Sequence, residues 1–145
     1  LVAAALVTSW LITRANIPAE ITRFLAPVIE NPKLLMLVIV LLVLVVGTVL
    51  DLAPTILILV PVLMPVIHAA GIDPVYFGII FVMTTCVGLL TPPVGVVLNV
   101  VSGVARVPLG QVLWGVLPFL AAQVCVLFVL IAFPEIVLVP LQWLR

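Results

Sequence analysis

Long apolar runs separated by short polar interruptions make up most of this chain. The longest, Leu34 to Ile67, would extend about 50 Å as one straight helix, far beyond the roughly 30 Å of a membrane's hydrocarbon core. It must turn. The stretch Gly47-Thr-Val-Leu-Asp-Leu-Ala-Pro54 is the place, since it holds a glycine, a proline and the only acidic residue of the run. The arms on either side, Leu34 to Val46 and Leu52 to Ile67, measure roughly 20 to 24 Å each, too short to cross comfortably. The pattern predicts a re-entrant helical hairpin over 34–67.

A second apolar run, Val75 to Val104, is interrupted near its middle by Gly88-Leu-Leu-Thr-Pro-Pro-Val-Gly95. Pro92 and Pro93 each lack a backbone N–H, and a proline pushes the residue before it out of the α conformation. The helix breaks here. In hydrocarbon each unpaired backbone polar group costs roughly several kcal/mol unless it faces protein, a water-filled cavity or an ion. A break at this depth marks a site, and 75–104 reads as a discontinuous transmembrane helix.

The remaining elements follow the same pattern. Leu1 to Ile12 is only about 18 Å long as a helix, and 1–13 reads as the end of a truncated transmembrane helix, which makes the chain a piece of a larger protein. Between Thr13 and Lys33, Arg14, Glu20, Arg23, Glu30 and Lys33 alternate with Ile17, Ile21, Phe24, Leu25 and Val28 at helical spacing. Residues 14–33 are thus expected to lie as an amphipathic arm along the membrane interface, either a connecting loop or a lateral arm. Gly71-Ile-Asp-Pro74 is a turn signal. Residues 108–134 form the final span, with Trp114, Glu135, Trp143 and Arg145 as interfacial anchors.

Composition removes whole classes of function. The apolar share is 67% and the charged share 7%, which places the chain among polytopic membrane proteins. The net charge is zero and basic clusters are lacking, so nothing suggests nucleic-acid binding. Cys86 and Cys125 sit inside apolar runs and read as small buried hydrophobes. An intramembrane enzyme would need a nucleophile with its base, paired aspartates at depth or a metal cluster, whereas His68 stands alone and Asp73 falls in the turn.

The candidate chemistry therefore rests on the two interruptions. Asp51 can cap the second hairpin arm, but a carboxylate at membrane depth costs roughly 2.5 to 3.5 kcal/mol, and an uncharged residue would cap as well. A cation partner is the better account of its charge. Thr91 is expected to cap the second half of the broken helix, with Pro92 at the first helical position. The positive end of that half-helix would then face an anion, and the carbonyls closing the first half a cation. Asn99 and Ser102 share a face, and with Gln123 they read as helix-to-helix hydrogen-bonding groups. Paired interrupted segments point to an ion-coupled transporter.

Several strings together resemble the large membrane subunit of tripartite ATP-independent periplasmic (TRAP) transporters. They are Gly47-x-x-x-Asp51, Ile-Leu-Val-Pro61-Val-Leu-Met-Pro65, Gly71-Ile-Asp-Pro74, Phe77-Gly78-Ile-Ile and Gly88-Leu-Leu-Thr-Pro-Pro-Val-Gly95, with Pro118-Phe119 and Phe133-Pro134-Glu135 beyond. The resemblance implies an all-α, elevator-type transporter fragment in the bacterial inner membrane. It implies sodium-coupled import of small organic acids, such as dicarboxylates and sugar acids. A periplasmic substrate-binding protein would deliver the substrate, and a small membrane subunit would complete the complex. Carried onto this sequence, the resemblance places Gly47, Asp51, Gly88, Thr91 and Pro92 at sodium, and Thr91, Pro93 and Gly95 at the substrate's edge. Sodium is the expected coupling ion and no cofactor is expected. The competing expectation is a channel-like or structural membrane subunit without ion coupling.

Overall fold

The computed structural model describes residues 31–92 and 95–143, together with Val7, Trp10, Leu11, Arg14 and Glu20. Most of the expected interfacial arm and truncated first span lies outside the described residues, as does Pro93. Among the described residues all regular structure is α-helical. The elements are α1 (Pro32–Gly47), α2 (Leu52–Ala69), α3 (Pro74–Leu89), α4 (Val96–Ala105), α5 (Leu109–Ala132) and α6 (Glu135–Trp143).

Local sequence explains where each helix starts and stops. Proline occupies the first turn of α1 and of α3, where its missing N–H goes unneeded. Asp51 precedes α2 in an extended conformation, and its carboxylate accepts from Leu52 N at 2.8 Å. Asp73 does the same for α3, accepting from Val75 N at 2.8 Å and Tyr76 N at 3.4 Å. Pro61 and Pro65 lie inside α2, which nevertheless runs on to Ala69. Arg106 closes α4 at φ 54°, in the left-handed region, and its N–H returns to Ser102 O. The Ser102 hydroxyl completes this corner by donating to Val107 O at 2.7 Å, a local bond in place of the expected bond to another helix. Asn99 and Gln123 are both exposed.

The helices α1 and α3 run parallel, side by side, with α2 returning antiparallel between them in sequence. Their starts meet the end of α5: Lys33 Nζ donates to Ala132 O at 3.0 Å, and Tyr76 OH donates to Leu130 O at 3.0 Å. At their far ends, the backbones of Gly47 and Gly88 touch. Between these points lies a dry core, built from Leu35, Ile39 and Val43 of α1, Leu63 and Ile67 of α2, Phe77 and Ile80 of α3, and Leu127 and Ile131 of α5. Phe77 and Phe81 stack obliquely within it, centroids 5.5 Å apart.

The helices α2 and α5 are long and apolar enough to cross a membrane. Most of α5 is uncovered, with Trp114, Phe119 and Phe128 exposed, a surface that water would not tolerate. After Ala132 the chain turns at Phe133–Pro134 and forms α6, a helix the apolar pattern does not anticipate. Its segment was expected to contribute only anchors.

Replacing Phe77, which is 2% exposed at the centre of this packing, is expected to be severe. Phe77→Ala should lower the stability of the full-length subunit by about 3–5 kcal/mol, and Tyr76→Phe, which deletes one hydrogen bond, by about 0.5–1.5 kcal/mol. Thermal unfolding in detergent checks the ranking; a Phe77→Ala melt at or above that of Tyr76→Phe would contradict this core.

Candidate functional site

Two chain breaks come together at one end of the α1–α3 pair. A Cβ built on Gly88 would lie 2.9 Å from Gly47 C, 3.0 Å from Gly47 Cα and 3.1 Å from Leu44 O, all backbone atoms. No side chain other than hydrogen fits there. The reverse position is less tight: a Cβ on Gly47 would meet Gly88 Cα and Thr85 O at 3.5 Å, ordinary van der Waals contact. The C-terminal end of α1 therefore abuts the C-terminal end of α3, backbone against backbone. Each end carries roughly half a negative charge from its aligned peptide dipoles, so the junction attracts cations.

The turn that follows α1 folds back on its own carbonyls. Thr48 N donates to Leu44 O at 3.1 Å, its hydroxyl donates to Val45 O at 2.7 Å, and Leu50 N donates to Val46 O at 2.9 Å. Asp51 then stands at the exposed side of the tip, where it caps α2.

The break after α3 is built in the same way. Thr91 N donates to Gly88 O at 2.9 Å, and the Thr91 hydroxyl donates to Val87 O at 2.6 Å. Thr91 thus closes α3, which corrects its expected role as cap of the following half-helix. The cap of α4 is Gly95, at φ 47° in the left-handed region, and Pro92 lies before the helix, exposed, and outside its first turn. The physical reason is local: the Thr91 hydroxyl and N–H are taken up by carbonyls of the preceding helix, and α4 starts only after Gly95. Gly95 also sits tightly, since a Cβ there would meet Leu98 Cδ1 at 3.0 Å and Thr91 O at 3.4 Å. Gly95 supplies no side-chain cap to the first N–H groups of α4, leaving a positive helix end beside the break.

Sequence reasoning passed over three further threonines. Thr55, Thr84 and Thr85 are fully buried, and each hydroxyl donates to a carbonyl one turn earlier: Asp51 O, Ile80 O and Phe81 O respectively. A hydroxyl whose proton is committed in this way offers its lone pairs to another donor or to a cation. The signal was present in the sequence, since Thr84-Thr85 interrupts an apolar run one turn before Gly88. Among the described residues no group of three or more His, Cys, Asp or Glu side chains is positioned to hold a metal. Carbonyls, hydroxyls and one carboxylate are hard oxygen donors, suited to alkali and alkaline-earth cations.

Helices that end against each other at a double interruption, in a bundle clad with apolar side chains and holding two helices long enough to span a bilayer, describe a membrane protein. Comparison with known proteins gives the family. Residues 1–136 match the model of the tripartite ATP-independent periplasmic transporter, DctM component. The chain belongs to this family. It is 53% identical over 145 residues to a putative TRAP transporter large permease protein of Haemophilus influenzae, covering all of this chain and 34% of the relative. It is 46% identical over 145 residues to the 2,3-diketo-L-gulonate TRAP transporter large permease protein of Escherichia coli, again covering all of this chain and 34% of the relative. It is 39% identical over 132 residues to the sialic acid TRAP transporter large permease protein of Vibrio cholerae, covering 91% of this chain and 31% of the relative. The chain spans about a third of the length of these curated relatives.

The glycine contact predicts an asymmetry. Gly88→Ala in the full-length subunit should force α1 and α3 apart and cost about 1–3 kcal/mol. Gly47→Ala should be neutral or slightly stabilising, by up to about 1 kcal/mol, because the alanine fits and favours helix. Equal melting shifts for the two variants would show that the helices do not meet as described.

Proposed function

We propose that this chain is the portion of a TRAP large permease in which a coupling cation and an organic-acid substrate are bound side by side, and that the cation is sodium. The supporting observation is the abutment of α1 and α3 at Gly47–Gly88, next to the N-terminus of α4, which lacks a side-chain cap. Converging carbonyl ends suit the cation, and the N–H groups that open α4 suit the carboxylate of a substrate.

In this reading Gly47, Gly88 and Pro92 contribute main-chain oxygens. Asp51 contributes its charge, and Thr91 its hydroxyl lone pairs. Thr91, Pro93 and Gly95 border the substrate. Asp51 holds sodium and does not touch the acid, because like charges repel. Bound sodium cancels the negative field of the two helix ends and raises anion affinity, and by linkage the anion raises sodium affinity equally.

The substrate class is that of small organic acids. Two of the relatives are named for such acids, 2,3-diketo-L-gulonate and sialic acid, and four-carbon dicarboxylates belong to the same chemistry. In the whole transporter, α1 and α2 form a re-entrant hairpin, and the body carrying both breaks moves across the inner membrane as an elevator. A periplasmic binding protein delivers substrate, and a small membrane subunit completes the assembly.

The test is uptake into proteoliposomes by the complete transporter with its binding protein, with and without a sodium gradient, for wild type and Asp51→Asn. Sodium should drive wild-type uptake, and the variant should need substantially more sodium for half-maximal rate. Uptake indifferent to sodium in the wild type would favour a channel-like subunit. An identical sodium dependence in the variant would reduce Asp51 to a helix cap.

A further inference from the structure

The end of the bundle opposite the breaks holds a second polar constellation that transport chemistry leaves unused. There the starts of α1 and α3 meet the end of α5 and the beginning of α6 around a cavity of about 190 Å³. Its lining joins three polar side chains, Lys33, Asp73 and Tyr76, to an apolar floor of Met36, Ile131 and Leu138. A wider open cleft, lined in part by Asn31 and Leu34, shares Pro32, Lys33 and Pro134 with it. The volume is below that of a typical drug-sized ligand site, and suits a headgroup better than a whole amphiphile.

The depth of this cavity is fixed by α5. Its 24 residues make a helix about 36 Å long, enough to cross the hydrocarbon layer, and Lys33 Nζ bonds the carbonyl of its last residue at 3.0 Å. Lys33 thus lies where a spanning helix leaves the membrane, the level of lipid phosphates. Glu135 and Asp73 stand at the same end of the bundle. One of the three ammonium protons of Lys33 serves Ala132 O, and an ammonium has two more to give.

We propose that this cavity binds the headgroup of a zwitterionic phospholipid bearing a primary amine, of the phosphoethanolamine type. The phosphate pairs with Lys33. The ammonium faces the Asp73 carboxylate and the Tyr76 oxygen, whose proton is committed to Leu130 O. The first carbons of an acyl chain lie over Met36, Ile131 and Leu138. One positive and one negative side chain in the same lining favour a neutral headgroup of both signs over an acidic one. The apolar floor favours a lipid over a free phosphoester. The inference rests on α5 spanning a membrane and not on sodium coupling, so uptake can fail to depend on sodium while lipid binding stands.

The experiment uses the full-length subunit, delipidated and returned to nanodiscs of phosphatidylethanolamine, phosphatidylglycerol or phosphatidylcholine mixed into a common background, with retained lipid counted by native mass spectrometry. Phosphatidylethanolamine should be retained roughly tenfold more strongly than the other two, as expected for losing one charge-assisted hydrogen bond. Asp73→Asn should remove most of that preference, Lys33→Gln should weaken retention of all three lipids, Lys33→Arg should keep both retention and preference, and Arg106→Gln, at a distant corner, should leave them intact. Melting curves establish that each variant is folded. Equal retention of phosphatidylcholine, preference for phosphatidylglycerol, or an unchanged Lys33→Gln would each overturn the proposal. Displacement of the lipid by soluble phosphoethanolamine at comparable concentration would overturn the lipid as the source and assign the cavity to a free phosphoester.

Discussion

The contact between the backbones of Gly47 and Gly88 is the constraint on which the arrangement depends. The helices can approach this closely because Gly88 carries no side chain where it meets α1, and in lipid such approach replaces the hydrophobic drive that would hold helices together in water. At Gly88 the space is already filled by the carbonyl carbon and Cα of Gly47. The contact does more than pack: it brings the last turn of α1 and the last turn of α3 to the same point, so that two interruptions far apart in sequence share one location. Each interruption exposes polar backbone, and together they make an environment that neither has alone.

The way these polar groups are satisfied has a common form. Thr48, Thr55, Thr84, Thr85 and Thr91 all turn their hydroxyl protons onto carbonyls one turn back or less. Asp51 and Asp73 cap the helices that follow them. Ser102 and Arg106 close the corner into α5. Among the described residues no buried side-chain nitrogen or oxygen is left without a partner. A bundle of this kind has few polar side chains, and nearly all are placed where a helix begins, ends or breaks. That distribution is what an apolar solvent demands, because only there do backbone groups lack intrahelical partners.

The bundle therefore has two polar poles separated by a dry core. One pole gathers helix C-termini and the N-terminus of α4 around the breaks, where we place the proposed cation and acid. The other gathers Lys33, Asp73 and Tyr76 where α5 ends, at the level of lipid headgroups. The core between them, from Val43 down to Tyr76 and Ile131, ties both poles to one packed unit.

The apolar pattern by itself determined that the chain is helical and built for a membrane, and that it is interrupted near Asp51 and near Pro92–Pro93. Run length against bilayer thickness, and the missing N–H of proline, are properties of the chain alone. The same holds for the cap at Asp51, which needs only neighbouring residues, whereas Asp73 was legible only as a turn residue and its capping of α3 came with the structure. Thr91 was legible as a polar group at a break, but not which half-helix it would serve, because that depends on which carbonyls take up its hydroxyl and N–H. The pairing of Gly47 with Gly88, the burial of Thr84 and Thr85, the fastening of Lys33 and Tyr76 to the end of α5, and the extra helix α6 were decided only by tertiary structure. Each joins groups distant in sequence or relies on a neighbour's surface, and local periodicity carries no information about which surfaces will meet.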